Sequence, residues 1–395
     1  MMTLRRACLL RRSVGKLQNE IEDSAAGTLS RATPAADYTP VMQTYGAIDP
    51  GDNHAVARAL ESYVQRSLGP GVKLAQSPTP LGQGFDTFIY TFRLSGDELR
   101  SKWRDDLVLR LYGSSDDAAK CAREGDVQRF VIERGYPAVE PLVHDGAPKD
   151  FGLPIMIMPR VPGGTLLDHA KLHPQRARKM LREMGRLHAR LHQLSTADAP
   201  LPYDEPLVAR ILTESRDRMD IAQTSHSIDR MVEGYRWLAD WQRALMSEEP
   251  VVCHNDFHPL NIMIGAGDGL MVIDWSNAAL GDRHSDLGRT VTLFWFAMIA
   301  ASSTPERIVL RALRGFLRRN YLRGYADALP FDRRRLQLWE AVHTFGGWAQ
   351  LAELGARLAA GDGATKMEQK IPPSMIEAAR DRFQYLRLQI ENASP

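Results

Sequence analysis

Two short apolar segments separated by a polar loop, with a third apolar segment after them, constrain this chain more than any other feature. They read VVCHNDFHPLNIMI at 251–264 and MVIDW at 271–275. Three polar residues stand at fixed offsets: Asp256, then Asn261 five residues later, then Asp274. The pattern predicts a strand, a polar loop, a second strand and a further strand that ends at an aspartate.

These residue types suit phosphoryl transfer from a nucleotide. That reaction needs a carboxylate to orient and deprotonate the acceptor hydroxyl, and oxygen ligands for the magnesium ion that neutralises the phosphates. Asp256 suits the first task, and Asn261 and Asp274 suit the second. The sequence therefore predicts a catalytic base and a metal site within one short region.

The pattern resembles that of the aminoglycoside phosphotransferase and choline kinase group of the protein-kinase-like superfamily. There the catalytic loop reads H-x-D-x-x-x-x-N, and the second metal ligand follows an apolar strand, as in VID at 272–274. The resemblance extends over roughly residues 75–300. It implies an α+β, bilobal protein-kinase-like fold, with a small antiparallel-sheet N-lobe and a mainly helical C-lobe.

Chain length and local patterns agree with two lobes. A chain of 395 residues exceeds one ordinary core. We predict a disordered tail or linker at 1–50, a nucleotide-binding N-lobe at 51–160 and a catalytic, acceptor-binding C-lobe at 161–395. The first sixteen residues hold five basic side chains and no acid. A targeting segment, a tail and an over-long start remain open for them.

Periodicity locates most of the elements. In the N-lobe we expect a helix at 54–68, strands at 72–81, 85–94 and 106–112, a helix at 116–133, and strands at 140–144 and 154–158. In the C-lobe we expect a helix with a buried stripe over 181–194, and further helices at 284–301, 305–325, 333–360 and 373–390.

Two N-lobe features suit phosphate. Gly82 and Gly84 form a turn between two predicted strands, where backbone N–H groups can approach a phosphate; an ordinary hairpin turn is the alternative. The third strand carries Arg110 where the resemblance implies a lysine that holds the α- and β-phosphates. Arginine can bind phosphate with a bidentate fork. A solvent-facing arginine is the other interpretation.

The resemblance also implies an acid on the following helix and a hinge strand. Glu124 fits the acid, with Asp117 and Asp126 as competitors. Ile157 and Met158 lie in the hinge strand, where adenine would bind backbone groups between apolar side chains. A plain buried strand would have the same sequence.

The resemblance gives two residues supporting roles. His254 would hold the catalytic loop through hydrogen bonds, and Asp286 would open a helix and bind the backbone of that loop. A simple helix cap is the alternative for this second region. His258 has no assigned role. His188 and His192, four residues apart on a helix, could bind a metal, but the sequence suggests no third ligand, and packing is the preferred interpretation.

Composition limits the partners. The formal net charge is +2, which gives no reason to expect nucleic acid, and no apolar run is long enough to span a membrane. Three widely spaced cysteines favour a reducing compartment, and we expect a cytoplasmic protein. The segment 305–323 carries arginines on one helical face. A solvated face is the preferred interpretation, and an anionic partner or acceptor is the alternative.

We therefore expect an ATP- (or GTP-) and Mg²⁺-dependent phosphotransferase acting on a hydroxyl of a small molecule. Only 12 residues separate 274 from 286, which leaves little room for the activation segment of a protein kinase. One alternative is a nucleotide-binding pseudokinase, which Arg110 at the place of the lysine would favour. The other is an interaction protein that uses the basic helix. The acceptor and the oligomeric state cannot be read from the sequence.

Overall fold

A five-stranded antiparallel sheet and its two helices form the N-lobe. The computed structural model describes residues 47–83, 87–201, 207–222, 228–245, 249–265, 267, 269–296, 304–361 and 373–393. The N-lobe elements are α1 (Asn53–Leu68), β1 (Lys73–Gln83), β2 (Thr87–Ser95), β3 (Leu107–Tyr112), α2 (Ala118–Glu133), β4 (Val143–Asp145) and β5 (Ile155–Pro159). The sheet order is β1-β2-β3-β5-β4. The predicted order of strands and helices is confirmed, with β4 beginning later than expected.

Side chains alternate between the two faces of this sheet along each strand, so the two faces make different contacts. One face packs against α1, where Val56 and Leu60 share a core with Leu109 and Ile157. On the other face the backbone of Arg110 lies directly opposite Met156. The residues that packing places near α2 therefore include the arginine predicted to bind phosphate.

The C-lobe is mainly helical, as predicted. Its elements are α3 (Leu166–Leu172), α4 (Ala177–His192), α5 (Leu207–Ile221), α6 (Ile228–Trp241), β6 (Val251–Cys253), β7 (Ile262–Ile264), β8 (Leu270–Val272), β9 (Ala279–Gly281), α7 (Arg283–Phe296), α8 (Thr304–Ala326), α9 (Arg333–Ala360) and α10 (Pro373–Asn392). The short strands pair as β6 with β9 and β7 with β8. The sequence pattern gave no bounds for α5 and α6. No helix in the described part of the chain has the length and apolarity that a membrane crossing needs.

The fold class, an α+β protein-kinase-like fold, is confirmed. The domain bounds at residues 50 and 160 stay predictions, and the segment proposed as a tail lies almost entirely outside the described residues.

Close packing of α4 against α8 fixes the positions of two helices of the C-lobe core. The apolar stripe of α4 is buried as its periodicity predicts, with Leu181, Met184 and Leu191 in the main C-lobe core. Gly185 lies against the backbone of α8, so that a Cβ atom there would stand 2.1 Å from the carbonyl oxygen of Tyr321. The two helices can approach this closely only because residue 185 has no side chain.

We predict that Gly185→Ala destabilises the protein although alanine is the better helix former. The added methyl group must push the helices apart, and overpacking of this kind costs about 1–3 kcal/mol. Gly315→Ala is the matched control, because Gly315 lies in α8 with nothing within 4 Å of an added Cβ atom. That control should gain about 0.5–1 kcal/mol from helix propensity. Urea unfolding of both variants checks the opposite signs, and an unchanged midpoint for Gly185→Ala would contradict the packing argument.

Candidate active site

The fully buried carboxylate of Asp286, near the start of α7, holds the catalytic loop. It accepts hydrogen bonds from the backbone N–H of His254 at 2.6 Å and of Asn255 at 3.0 Å. Burial raises the pKa of this carboxyl, but its hydrogen-bonded histidine neighbours oppose this, and the net pKa lies well below the usual value. The aspartate is therefore ionised, and it fixes the backbone immediately before Asp256.

Two histidines of α4 complete the surroundings of Asp286. Nε2 of His188 and of His192 lie 3.0 and 3.3 Å from Oδ2 of Asp286. Because the carboxylate can only accept, both rings donate from Nε2, and their Nδ1 atoms accept from the hydroxyls of Tyr321 and Tyr325 on α8. Burial lowers the pKa of His192 to about 4.

The hydrogen bonds of His188 and His192 argue against a metal at this pair of histidines. Asp286 supplies a third possible ligand that the sequence did not suggest. Each ring nitrogen of His188 and His192, however, already has a hydrogen-bond partner among the described residues. The cluster is accounted for as a network that joins α4, α7 and α8 to the catalytic loop.

His254 links the two halves of the site. Its Nε2–H donates to the backbone carbonyl of Ile273, at 3.2 Å, so that Nδ1 is left to accept from the N–H of Asp256, at 3.3 Å. The ring is buried and packs beside Trp275, with centroids 4.8 Å apart. Burial lowers the pKa of His254 below its ordinary value. A neutral ring with both nitrogens hydrogen-bonded to the backbone positions the loop.

Asp256 and Asn261 lie in direct contact. The Asn261 amide donates from Nδ2 to the backbone carbonyl of Asp256 at 3.0 Å and to its Oδ2 at 2.9 Å. His258, for which the sequence gave no role, has Nε2 at 3.3 Å from the same Oδ2. Both neighbours restrict the rotation of the Asp256 carboxylate. Since Nδ2 of Asn261 serves as donor, its Oδ1 is the atom suited to a metal.

Asp274 is held beside Asn261 by the backbone, because the N–H of Ile273 donates to the carbonyl of Asn261 at 3.0 Å. Asp274 has a left-handed backbone, with φ of 66°, and so does Asn255, with φ of 57°. Aspartate and asparagine tolerate this conformation better than most residues. The hydroxyl of Ser276 donates to Oδ1 of Asp274 at 2.8 Å.

Arg110 connects the two lobes. Its guanidinium lies 2.5 Å from Oε1 of Glu124 on α2 and 3.3 Å from Oδ1 of Asp274 in the C-lobe. Its side chain is only 12% exposed, which excludes the solvent-facing interpretation. Burial by itself lowers the pKa of Arg110, but the two carboxylates act more strongly in the other direction and raise it. The guanidinium is thus a fixed charge beside a predicted metal ligand.

Tyr112 also belongs to this cluster, although no sequence pattern singled it out. Its hydroxyl donates to Oε2 of Glu124 at 2.7 Å, so that both oxygens of this fully buried carboxylate are occupied. Burial and the charge of Glu124 raise the pKa of Tyr112 well above its ordinary value, and the phenol remains a donor. The residue lies two positions after Arg110 on β3, and that spacing is the signal that could have found it.

The two predicted hinge residues point to opposite faces of the sheet. Met158 packs against Tyr112, Cys121 and Met156, on the face that carries Arg110. Ile157 is fully buried in the core beneath α1, and its carbonyl accepts from Leu142 at 2.8 Å. Only Met158 therefore presents its side chain toward the region that Arg110 lines.

The glycine turn is described in part. The backbone of Gly82 pairs with Ile89 near the end of β1. Gly84 lies outside the described residues.

The basic helix is partly used inside the molecule. Arg318 of α8 binds buried Glu340 of α9 at 2.5 Å, and Arg314 lies over the ring of Trp295, 5.7 Å from its centroid. The side chains of Arg307 and Arg311 are outside the described set. Two of the four arginines that would form an anionic binding face thus have internal contacts.

Solved structures with this fold include aminoglycoside phosphotransferases and an amicoumacin kinase. A candidate aminoglycoside phosphotransferase of Ralstonia eutropha JMP134 is 18% identical, with a TM-score of 0.60 over 85% of this chain and 98% of that chain. The aminoglycoside phosphotransferase APH(4)-Ia is 17% identical, with a TM-score of 0.55 over 85% and 99%. The amicoumacin kinase hAmiN, solved with AMP-PNP and Ca²⁺, is 15% identical, with a TM-score of 0.50 over 87% and 96%. At these identities the likeness shows the fold alone.

A search of curated proteins found no matching relative. A match to a family model shows the family of this chain. The model described as the phosphotransferase enzyme family matches residues 89–339, which is more than half of the chain and includes Arg110, Glu124, Asp256, Asn261 and Asp274. This chain belongs to the phosphotransferase enzyme family.

Proposed function

We propose that the protein transfers a phosphoryl group from ATP to a hydroxyl of a small molecule. Family membership supports phosphotransferase activity. The observation that carries the finer proposal is the contact of Asn261 with the Asp256 carboxylate, together with the backbone bond that holds Asp274 beside Asn261. These contacts hold the proposed base and the two proposed oxygen ligands next to one another, as this reaction requires.

In this proposal Asp256 accepts the proton of the acceptor hydroxyl. Asn261 and His258 hold the carboxylate in position, and Asp286 and His254 fix the loop that carries it. Positioning of this kind supplies much of the rate enhancement in phosphoryl transfer, because little covalent chemistry is left to the protein.

The donor set fits a magnesium ion. Oδ1 of Asn261 and the carboxylate of Asp274 are hard oxygen ligands, and these are the atoms that Mg²⁺ selects. The ion would neutralise charge on the phosphates. The nucleotide and Ca²⁺ in the amicoumacin kinase structure support the use of a nucleotide and a divalent cation here.

Arg110 would bind the phosphates from the N-lobe side. Glu124 and Tyr112 orient it, and its contact with Asp274 places it beside the proposed metal site. Gly82, Gly84 and Met158 would complete the nucleotide site, from the β1 turn and from the hinge. We place the protein in the cytoplasm, where the free buried thiols Cys121 and Cys253 would stay reduced.

We expect Asp256→Asn to lower kcat by roughly 10²- to 10⁴-fold, because the amide keeps the shape of the side chain but cannot take a proton. The affinity for Mg-ATP should change little. Asp240→Asn is the control, since Asp240 is exposed on α6. Turnover is measured as ADP release with a panel of hydroxyl acceptors. If Asp256→Asn turns over as fast as the unsubstituted protein, Asp256 is not the base. If the unsubstituted protein binds Mg-ATP but shows no turnover, the protein is a pseudokinase.

Asp274→Ala tests the metal site. We expect the variant to lose more than about tenfold in affinity for Mg-ATP, because a charged ligand is removed. Its affinity for ATP without magnesium should not fall, since Arg110 loses a competing carboxylate. Calorimetry with and without magnesium separates the two effects. If the affinity for Mg-ATP is unchanged, Asp274 is not a ligand.

Tyr112→Phe tests the orientation of Arg110. Removing only the hydroxyl leaves Oε2 of Glu124 buried without its partner, which costs about 1–3 kcal/mol. We expect kcat/KM for ATP to fall roughly tenfold, with KM for the acceptor unchanged. If Tyr112 had a purely structural role, the substitution would shift the unfolding midpoint but would not lower kcat/KM for ATP selectively. Tyr63→Phe is the control, because Tyr63 is buried beneath the other face of the sheet.

A further inference from the structure

The backbone of Asp274, the proposed metal ligand, is in an unfavourable conformation. Its φ of 66° lies in the left-handed region, which residues with a Cβ atom rarely adopt. Aspartate tolerates this region better than most residues, but it still prefers negative φ. Relaxation of this one angle would swing the carboxylate away from Asn261. Contacts with the turn that follows Asp274 must therefore keep the residue in place.

Ser276 holds the Asp274 carboxylate from within this turn. Its hydroxyl donates to Oδ1 at 2.8 Å, and Nη2 of Arg110 lies 3.3 Å from the same oxygen. The serine contact is the shorter of the two and comes from the C-lobe itself. Without it, the attraction of Arg110 would draw the carboxylate toward the N-lobe. Ser276 thus keeps the carboxylate on the C-lobe side of the site.

Asn255 holds the turn from the catalytic loop. The pairing of β6 with β9 ends where Cys253 lies opposite Ala279, so the next pair across the two strands is Asn255 and Asn277. The backbone N–H of Asn255 is not available for that pairing, because it donates to Asp286. The side chain takes its place, and Nδ2 donates to the Asn277 carbonyl at 3.0 Å.

This side chain joins the proposed base to the proposed metal ligand. Asn255 is only 9% exposed and immediately precedes Asp256 along the chain. The turn that it binds is closed by the N–H of Ala278, which donates to the carbonyl of Trp275 at 3.0 Å. A movement of this turn would carry Asp274 with it. Asn255 therefore fixes the distance between the catalytic loop and the turn of Asp274.

We propose that Asn255 and Ser276 are positioning residues that hold Asp274 in the geometry that a magnesium ion requires. The inference rests on the proposed phosphotransferase function, in which Asp274 is a metal ligand. Mg²⁺ demands nearly ideal octahedral geometry, whereas Ca²⁺ accepts irregular and flexible coordination. A loosened Asp274 therefore weakens the binding of Mg-ATP more than the binding of Ca-ATP.

Ser276→Ala tests the direct contact, by calorimetry with ATP and Mg²⁺, with ATP and Ca²⁺, and with ATP and no divalent metal. We expect the affinity for Mg-ATP to fall roughly tenfold, because a hydrogen bond to a charged group is lost. The affinity for Ca-ATP should fall less than about threefold. The affinity for metal-free ATP should change little. Ser276→Thr, which keeps the hydroxyl, should restore most of the affinity for Mg-ATP.

Asn255→Gly tests the contact between the loops. Glycine accepts the left-handed backbone of residue 255, whose φ is 57°, so only the side-chain amide is lost. We expect the affinity for Mg-ATP to fall about three- to tenfold, with a smaller loss for Ca-ATP. Asp198→Gly is the matched control, because Asp198 is exposed and has a φ of 59° in the loop after α4. It should bind both complexes as the unsubstituted protein does.

The same substitutions in an Asp274→Ala background show whether they act through Asp274. There neither Ser276→Ala nor Asn255→Gly should lower the affinity for Mg-ATP further, because the ligand that they position is already gone. Two results would overturn the inference: an undiminished further loss in this background, or equal losses of Mg-ATP and Ca-ATP affinity in the single variants. Should Asn255→Gly not fold, the comparison of Ser276→Ala with Ser276→Thr still decides.

Failure of the inference and failure of the proposed function give different results. If Asp274→Ala loses affinity for Mg-ATP while Ser276→Ala and Asn255→Gly keep it, the metal site stands and the positioning role is wrong. If Asp274→Ala keeps its affinity for Mg-ATP, the metal assignment is wrong and the positioning role with it. Absence of turnover with every acceptor would count against phosphoryl transfer alone, since these binding measurements need no acceptor.

Discussion

The buried charge of Asp286 is the interaction on which the catalytic region depends. A carboxylate removed from water is costly unless hydrogen bonds replace its hydration. Here two backbone N–H groups and two neutral histidines supply them, and those histidines are held in turn by tyrosines of α8. The catalytic loop has no helix or long strand of its own. The backbone of the loop is fixed because a movement away from Asp286 would leave this buried charge without its hydrogen-bond donors. The close approach of α4 to α8 at Gly185 brings the tyrosines of α8 within hydrogen-bonding distance of the histidines of α4.

A second electrostatic cluster joins the lobes across the site. Arg110 on β3 contacts Glu124 in its own lobe and Asp274 in the other, so that one guanidinium is shared by an orienting carboxylate and a proposed metal ligand. An arginine here differs from a lysine, since its planar fork can contact two carboxylates at once and remains charged when buried. Tyr112 occupies the remaining oxygen of Glu124, which leaves that acid no alternative partner. The cluster thus supplies a positive charge in a fixed position without needing a nucleotide to organise it.

Sequence patterns predicted what depends on neighbours along the chain. The α4 stripe, the N-lobe element order and the spacing of Asp256, Asn261 and Asp274 reflect local periodicity or a short loop, and Arg110 and Glu124 were singled out through the resemblance and now lie in contact. What the patterns could not give depends on register and helix packing. Alternation shows that Ile157 and Met158 face opposite sides, but only pairing with β3 decides which side carries Arg110. His258 acquires a role only when the loop folds back to Asp256.

The same distinction explains why the acceptor is the hardest part to read. The residues proposed to carry out phosphoryl transfer lie within one loop and one hairpin, so their spacing can be read from the sequence. The C-lobe helices, by contrast, carry no sequence motif that indicates an acceptor. The packing of these helices decides which of their side chains face the site, and each helix taken alone is an ordinary amphipathic one. A catalytic site can therefore stay recognisable while acceptor specificity changes, since specificity requires only new polar side chains on helix faces whose packing is already fixed.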